Sequence, residues 1–113
     1  MAVFITPRFK KKFSKIKDAR LKKAILSVLS KFHADPRSTV KVLDSYSGYL
    51  LAEIKPPHSI PYRVYVVHRE SDDTWFVVDL DAKDRQQQAI SRLRRILKMW
   101  IQGEFSFKNS ESG

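Results

Sequence analysis

The apolar positions of this chain change period partway along it. Phe9, Phe13 and Ile16 recur at i, i+4, i+7, and Leu21, Ile25, Val28 and Phe32 continue at helical spacing, with Ala24 and Leu29 widening the stripe. The lysines between them are expected on the solvent side. Thr6 before Pro7 is a helix start, because the threonine oxygen can cap and proline suits the first turn. Asp18 restarts the helix. Asp35-Pro36 ends it, since the residue before proline is pushed out of the α region. Residues 7–33 therefore read as a helical hairpin or one broken helix. Val3 to Ile5 ahead of it read as a short edge strand.

From Val40 the period shortens. Val40–Leu43, Tyr49–Lys55, Tyr62–His68 and Thr74–Leu80 are β-branched and aromatic runs with turn chemistry between them. Ser45-Tyr46-Ser47-Gly48 is one such turn, with Gly48 free to take a positive φ. Pro56, Pro57 and Pro61 stiffen a loop around His58, and Glu70-Ser71-Asp72-Asp73 makes the third turn. Helical spacing returns at Ala89, Ile90, Leu93, Ile96, Leu97, Trp100 and Ile101. These predict a last helix from about Lys83 to Ile101, capped by Asp81 and packed on the sheet. The pattern describes an α+β domain: an N-terminal helical hairpin packed on a mostly antiparallel four-stranded sheet, with a C-terminal helix. Residues 1–102 are expected to form a single domain, and 103–113 a flexible tail.

A chain of 113 residues suffices for one core. Apolar residues at 42% and charged residues at 30% fit a folded protein in water. No run approaches the roughly 18 apolar residues of a membrane span. The opening MAVFITPRFKKKF lacks the pattern of a signal peptide, and the lack of cysteine fits the cytoplasmic location expected for the chain. The lack of cysteine excludes disulfides, thiol nucleophiles and cysteine-ligated zinc. His33, His58 and His68 are scattered without a paired acidic motif and do not form a metal site.

Charge sharpens the picture more than composition does. The net charge is +10, and residues 1–41 carry all of the excess: twelve Lys or Arg against Asp18 and Asp35. Such a field attracts polyanions, and the attraction weakens with salt. Candidate anions are RNA, DNA, an acidic partner protein or a membrane surface, and charge alone does not choose among them. For RNA, Lys10, Lys11, Lys12, Lys15, Lys22 and Lys23 are the candidate docking residues. The plainer alternative is a solvated helix face, or one that meets an acidic partner.

A second set of cations borders the strands: Lys55, Arg63, Lys83 and Arg85. Side chains two apart share a strand face. Glu53 and Lys55 therefore point one way, as do Arg63, Tyr65 and Val67, while Val64 and Val66 point the other way, toward the helices. If the strands on either side of the proline loop pair, Lys55 and Arg63 are neighbours. Lys83 and Arg85 then follow the last strand at the same end. The result is a small electropositive groove, with Tyr62 or Tyr65 beside it, suited to binding or cutting a phosphodiester. Trp75 and Trp100 read as core.

Several short motifs in this order resemble the RelE/ParE superfamily of toxins from toxin–antitoxin pairs. Phe4-Ile5-Thr6-Pro7-Arg8-Phe9-Lys10-Lys11 is similar to an F-x-T-x-x-F-x-K opening, and Asp35-Pro36-Arg37 to N-P-R. Gly48-Tyr49-Leu50-Leu51-Ala52-Glu53-Ile54-Lys55 resembles G-x-(W/Y)-E-(L/I)-R with Lys for Arg. Tyr62-Arg63-Val64 matches Y-R-(V/L), and Lys83-Asp84-Arg85 resembles the basic cluster after the last strand. The resemblance covers about Val3 to Leu97. In the RelE branch it implies ribosome-dependent cleavage of mRNA without a cofactor. In the ParE branch it implies inhibition of DNA gyrase without catalysis. In both it implies an antitoxin partner.

Cleavage of this kind needs the 2′-OH deprotonated, the phosphate neutralised and the leaving oxygen protonated. By resemblance, Arg63 would stabilise the phosphate, whose oxygens its planar fork fits. Lys55 would act as base or phosphate contact, and Lys83 and Arg85 would serve the leaving-group side. The plainer reading of Arg63 is an ion pair with Glu53 or Asp79. Many cleaving members carry His or Tyr after the last strand or in the final helix, where this chain has Gln86-Gln87-Gln88. His58 in the proline loop is the candidate substitute for catalysis, and His68 reads as structural.

Overall fold

The computed structural model describes residues 1–57 and 59–101. The order is β1 (Ala2–Ile5), α1 (Pro7–Ser14), α2 (Ala19–Ala34), α3 (Pro36–Thr39), β2 (Lys41–Tyr46), β3 (Tyr49–Ile54), β4 (Tyr62–Arg69), β5 (Thr74–Ala82) and α4 (Gln86–Ile101). The sheet has five strands rather than four, in the order β1-β5-β4-β3-β2. The edge strand expected at residues 3–5 is the fifth, and it lies parallel to β5. The other pairings are antiparallel.

The helix starts follow the caps. The Thr6 hydroxyl oxygen accepts from Phe9 N and donates to the Val77 carbonyl at 2.9 Å, which ties the β1–α1 junction to β5. The Asp18 carboxylate accepts from the backbone N–H of Arg20 and Leu21 and starts α2. In place of a simple hairpin, the N-terminal segment is two helices joined through residues 15–18, with α1 laid along β5, followed by the single turn of α3. The β2–β3 turn is shorter than the sequence suggests. Strand β2 runs through Tyr46, and Ser47 and Gly48 turn the chain with φ of 46° and 85°. Paired positive φ values match the right-handed twist of a hairpin.

Helices cover both faces of the sheet. Phe9, Ile25, Val28 and Phe32 pack with Val64, Val66, Trp75 and Val77 on one face. Ala89, Leu93 and Leu97 of α4 pack with Leu51, Tyr65, Val67, Phe76 and Val78 on the other. The alternation slips once in β5. Register passes from Val66↔Val77 to Tyr65↔Asp79, which leaves Val78 as the extra residue of a bulge. The bulge sets Asp79 opposite Tyr65, on the α4 side of the sheet.

Asp81 does not cap the last helix. It lies inside β5, a turn at Lys83–Arg85 follows, and α4 begins only at Gln86. Among the described residues, no helix is long and apolar enough to cross a membrane. The tail at 103–113 lies outside the described residues.

Candidate functional site

Three of the four strand-bordering cations meet at one end of the sheet. A cavity of about 460 Å³ is lined by Lys55 after β3, Arg63 at the start of β4 and Lys83 after β5, with Pro57, Ile60 and Pro61 of the intervening loop. The walls follow from local pairing. Strands β3 and β4 pair from Ile54↔Val64 outward, which sets the proline loop across the strand ends. The Lys83 N–H donates to the Pro61 carbonyl at 2.8 Å and closes the other side. A second cavity of about 480 Å³ shares Pro61 and Lys83. Lys83 thus stands between two hollows. Arg85 is exposed in the turn before α4 and does not line the first cavity.

Arg63 is the central cation. It is 5% exposed, and one guanidinium nitrogen donates to the Tyr62 carbonyl at 2.9 Å and the Ile60 carbonyl at 3.5 Å. The ion pair with Glu53 or Asp79 that the sequence suggests does not form. Glu53 instead accepts from the Gln86 side-chain amide at 2.6 Å. Asp79 and Asp81 turn to other cations. Among the described residues, Arg63 is therefore a buried guanidinium held by carbonyl dipoles, with no carboxylate neutralising it. A charge withdrawn from water interacts strongly with any anion that reaches it.

Asp79 is the hub of an adjoining ionic cluster. It is fully buried and meets Lys12 at 2.6 Å, Arg92 at 2.6 Å and Arg8 at 3.5 Å. Burial pushes its carboxyl up, but the Lys12 and Arg92 hydrogen bonds, with the Lys12 and Arg8 charges, outweigh that and hold it below the usual carboxylate range. Lys12 also reaches Asp81 at 3.7 Å. This corrects the solvent-facing placement expected for every lysine of the first helix: Lys12 is committed to the sheet. Lys10, Lys11, Lys15 and Lys23 are exposed. Lys22 is partly covered, with its ammonium 5.2 Å from the Phe13 ring centre.

Of the two tyrosines expected beside the groove, Tyr62 is partly covered and lines the second cavity with Pro61 and Lys83, whereas Tyr65 is inside the protein. Tyr65 is fully buried under α4, and its hydroxyl has no hydrogen-bond partner among the described residues. Burial first, then the Glu53, Asp81 and Asp79 charges, push its hydroxyl well above the usual phenol range. Buried under α4 and absent from the cavity wall, it is out of reach of a bound substrate. His58 lies outside the described residues. His68 is buried against Trp75, with its ring 4.3 Å from the indole, and bonds Asp73 at 2.8 Å, toward the other end of β4 from Arg63 and in keeping with a structural role. His33 is exposed in the last turn of α2. Trp75 is core, as its sequence context implies, while Trp100 is partly covered beside Tyr49 and Phe76.

Two organising residues, Gln86 and Asp79, escape sequence reasoning. In the sequence Gln86 is only a departure from a motif. Asp79 is hidden because simple alternation does not reveal the bulge.

Comparison with known proteins fits this architecture. No family model matches the chain, and no curated protein matches it. Among solved structures, a chain of the archaeal RelE–RelB complex from Pyrococcus horikoshii OT3 superposes with a TM-score of 0.61 at 16% identity. The match covers 74% of this chain and 96% of that one. The motif resemblance read from the sequence and this superposition agree, and the fold of this chain is RelE-like.

Proposed function

We propose that this chain is the toxin of a toxin–antitoxin pair and that it cuts messenger RNA on the ribosome. The observation that carries the reading is the cavity where Lys55, Arg63 and Lys83 converge. In the proposed reaction the 2′-oxygen of one nucleotide attacks the adjacent phosphorus and the bond to the 5′-oxygen breaks. The products are a 2′,3′-cyclic phosphate and a 5′-hydroxyl. Arg63 neutralises the phosphate as charge builds on its oxygens. Lys55 takes the 2′-OH proton or contacts the phosphate. Lys83 supplies the proton to the leaving oxygen, and Arg85 flanks it from the turn. The exposed Lys10, Lys11, Lys15 and Lys23 would dock on ribosomal RNA, and the partly covered Lys22 would lie at the edge of that surface. The RelE-like fold supports an antitoxin as protein partner, and the matched archaeal protein is itself found in a complex with RelB.

Primer extension on a translated message tests the reading. Cuts that need the ribosome and vanish in Arg63→Ala and Lys55→Ala support it, and an intact message overturns it. A second, non-enzymatic reading has one observation in its favour. The side chain that α4 lays on Glu53 is the Gln86 amide, which has no acidic proton to give. A ParE-like gyrase inhibitor, or an RNA-binding module of this fold, would leave the message whole. The gyrase inhibitor would also change plasmid topology.

A further inference from the structure

In the sequence, residues 42–113 carry ten cations and ten acids, and their charges cancel. In the fold they do not cancel locally. Glu53 and Asp79 are buried, and Asp81 is partly covered and faces Lys12 and Arg92. Asp72 is taken by Arg69 and Asp73 by His68. What remains outside includes a basic helix. Residues 86–101 contain Arg92, Arg94, Arg95 and Lys98 and no carboxylate.

The outward stripe of α4 consists of Gln87, Gln88, Ser91, Arg94, Arg95, Lys98 and, at its far end, Met99, all exposed. Arg94 is held by Asp44 at 2.9 Å, and Lys98 lies 5.4 Å from the centre of the Tyr46 ring. Arg95 has no carboxylate partner among the described residues. The stripe starts beside the cavity, because the Lys83–Arg85 turn leads straight into α4. The acid at that junction is the exposed Asp84. At a rise of about 1.5 Å per residue, Gln86 to Lys98 spans about 18 Å. The lysines of α1 and α2 belong to the layer on the other face of the sheet. The two basic layers meet at Asp79 and Asp81, which Lys12 of α1 and Arg92 of α4 share, and the outward stripe of α4 runs on from the turn at the cavity.

We infer that the outward face of α4 is a track for the phosphate backbone of single-stranded RNA that enters or leaves the cavity. The inference rests on the RNA-directed reading above but not on cleavage. A stripe one helix wide, with neutral Gln and Ser between cations, offers phosphate contacts and hydrogen bonds without a groove shaped for a duplex. Such contacts set register and affinity and carry no sequence preference.

The test uses the full chain and a 2′-O-methyl RNA 12-mer, which lacks the attacking hydroxyl, with binding followed by fluorescence anisotropy across a salt series. Removing one cation from the track should reduce the slope of log affinity against log salt by about 0.7. Arg95→Gln with Lys98→Gln should therefore flatten the slope by about 1.4. Arg20→Gln with Lys31→Gln, two exposed positions of α2 outside the cavity and the docking lysines, should leave it near the wild-type value for so short a strand. The inference is overturned if the α4 variant keeps the wild-type slope, or if the wild-type chain does not bind the 12-mer. If a polyglutamate peptide loses affinity in the α4 variant while the RNA does not, the face serves an acidic protein instead. A flattened slope in a chain that leaves translated messages intact would sustain the track and remove the nuclease.

Discussion

Arg63 and Asp81 stand directly opposite each other across β4 and β5, and they do not pair. Asp81 turns toward Arg92 at 3.6 Å and Lys12 at 3.7 Å, while Arg63 bonds backbone carbonyls and lines the cavity. The guanidinium keeps its charge for an incoming anion because α1 and α4 occupy the acids around it. On the proposed nuclease reading, Arg63→Ala should lower message cleavage about 100-fold or more, the scale of removing one donor to a developing anion. Arg63→Lys should recover little of it, because an ammonium lacks the planar fork. Single-turnover cleavage on programmed ribosomes measures both.

Lys12 and Lys11 are neighbours in sequence and differ in what they do. Lys12→Ala removes a charge-assisted bond to a buried carboxylate and should cost about 1.5–3 kcal/mol of stability. Lys11→Ala alters an exposed position and should stay within about 0.5 kcal/mol. Urea unfolding of the two variants distinguishes these outcomes. Equal, small effects would show that the Lys12–Asp79 contact does not hold in solution.

Asp79 gives the fold a defined acid sensitivity. Its carboxyl lies below the usual range when folded, so its ion pairs stabilise the protein fully above the unfolded value of about 4. That contribution is lost as the pH falls through the lower folded value. Asp79→Asn removes the carboxylate that Arg8, Lys12 and Arg92 share, leaves Lys12 and Arg92 only their longer contacts to Asp81, and should cost about 3 kcal/mol near neutrality. The gap between wild type and variant should shrink progressively below about pH 4. Asp72, held at about 2 by Arg69, titrates in the same direction on the surface and adds to the wild-type trend. Thermal melts at pH 7 and pH 3 read the change.

Thr6 performs two tasks with one hydroxyl: it caps α1 and bonds the Val77 carbonyl. Thr6→Ala should destabilise the protein by about 1–2 kcal/mol. Thr6→Ser keeps both bonds and should retain most of the stability. Hydrogen exchange at the Phe9 amide should accelerate in the alanine variant and not in the serine one.

The helices and strands are legible in the sequence because their periods are strong and their caps are local. Thr6, Asp18 and Asp35-Pro36 set three boundaries by short-range chemistry. The approach of Lys55, Arg63 and Lys83 is legible too, since it needs only pairing across the proline loop. The partners of the acids are not. The one-residue bulge at Val78 decides which face Asp79 takes, and strand alternation carries no sign of it. Lys12 reads as solvated in a helical wheel because the wheel does not include the edge of β5 alongside α1. Tyr65 reads as a groove residue until α4 is laid over that face.

Strand β1 has a neighbour on one side only, and that neighbour is β5. Its first residues wait on a segment made about 70 positions later, so local contacts cannot anchor them during synthesis. A nascent chain halted before residue 74 holds a complete helical pair but no place for its own beginning. Protease protection of the amino terminus should therefore arise in one step, only after the last strand has emerged.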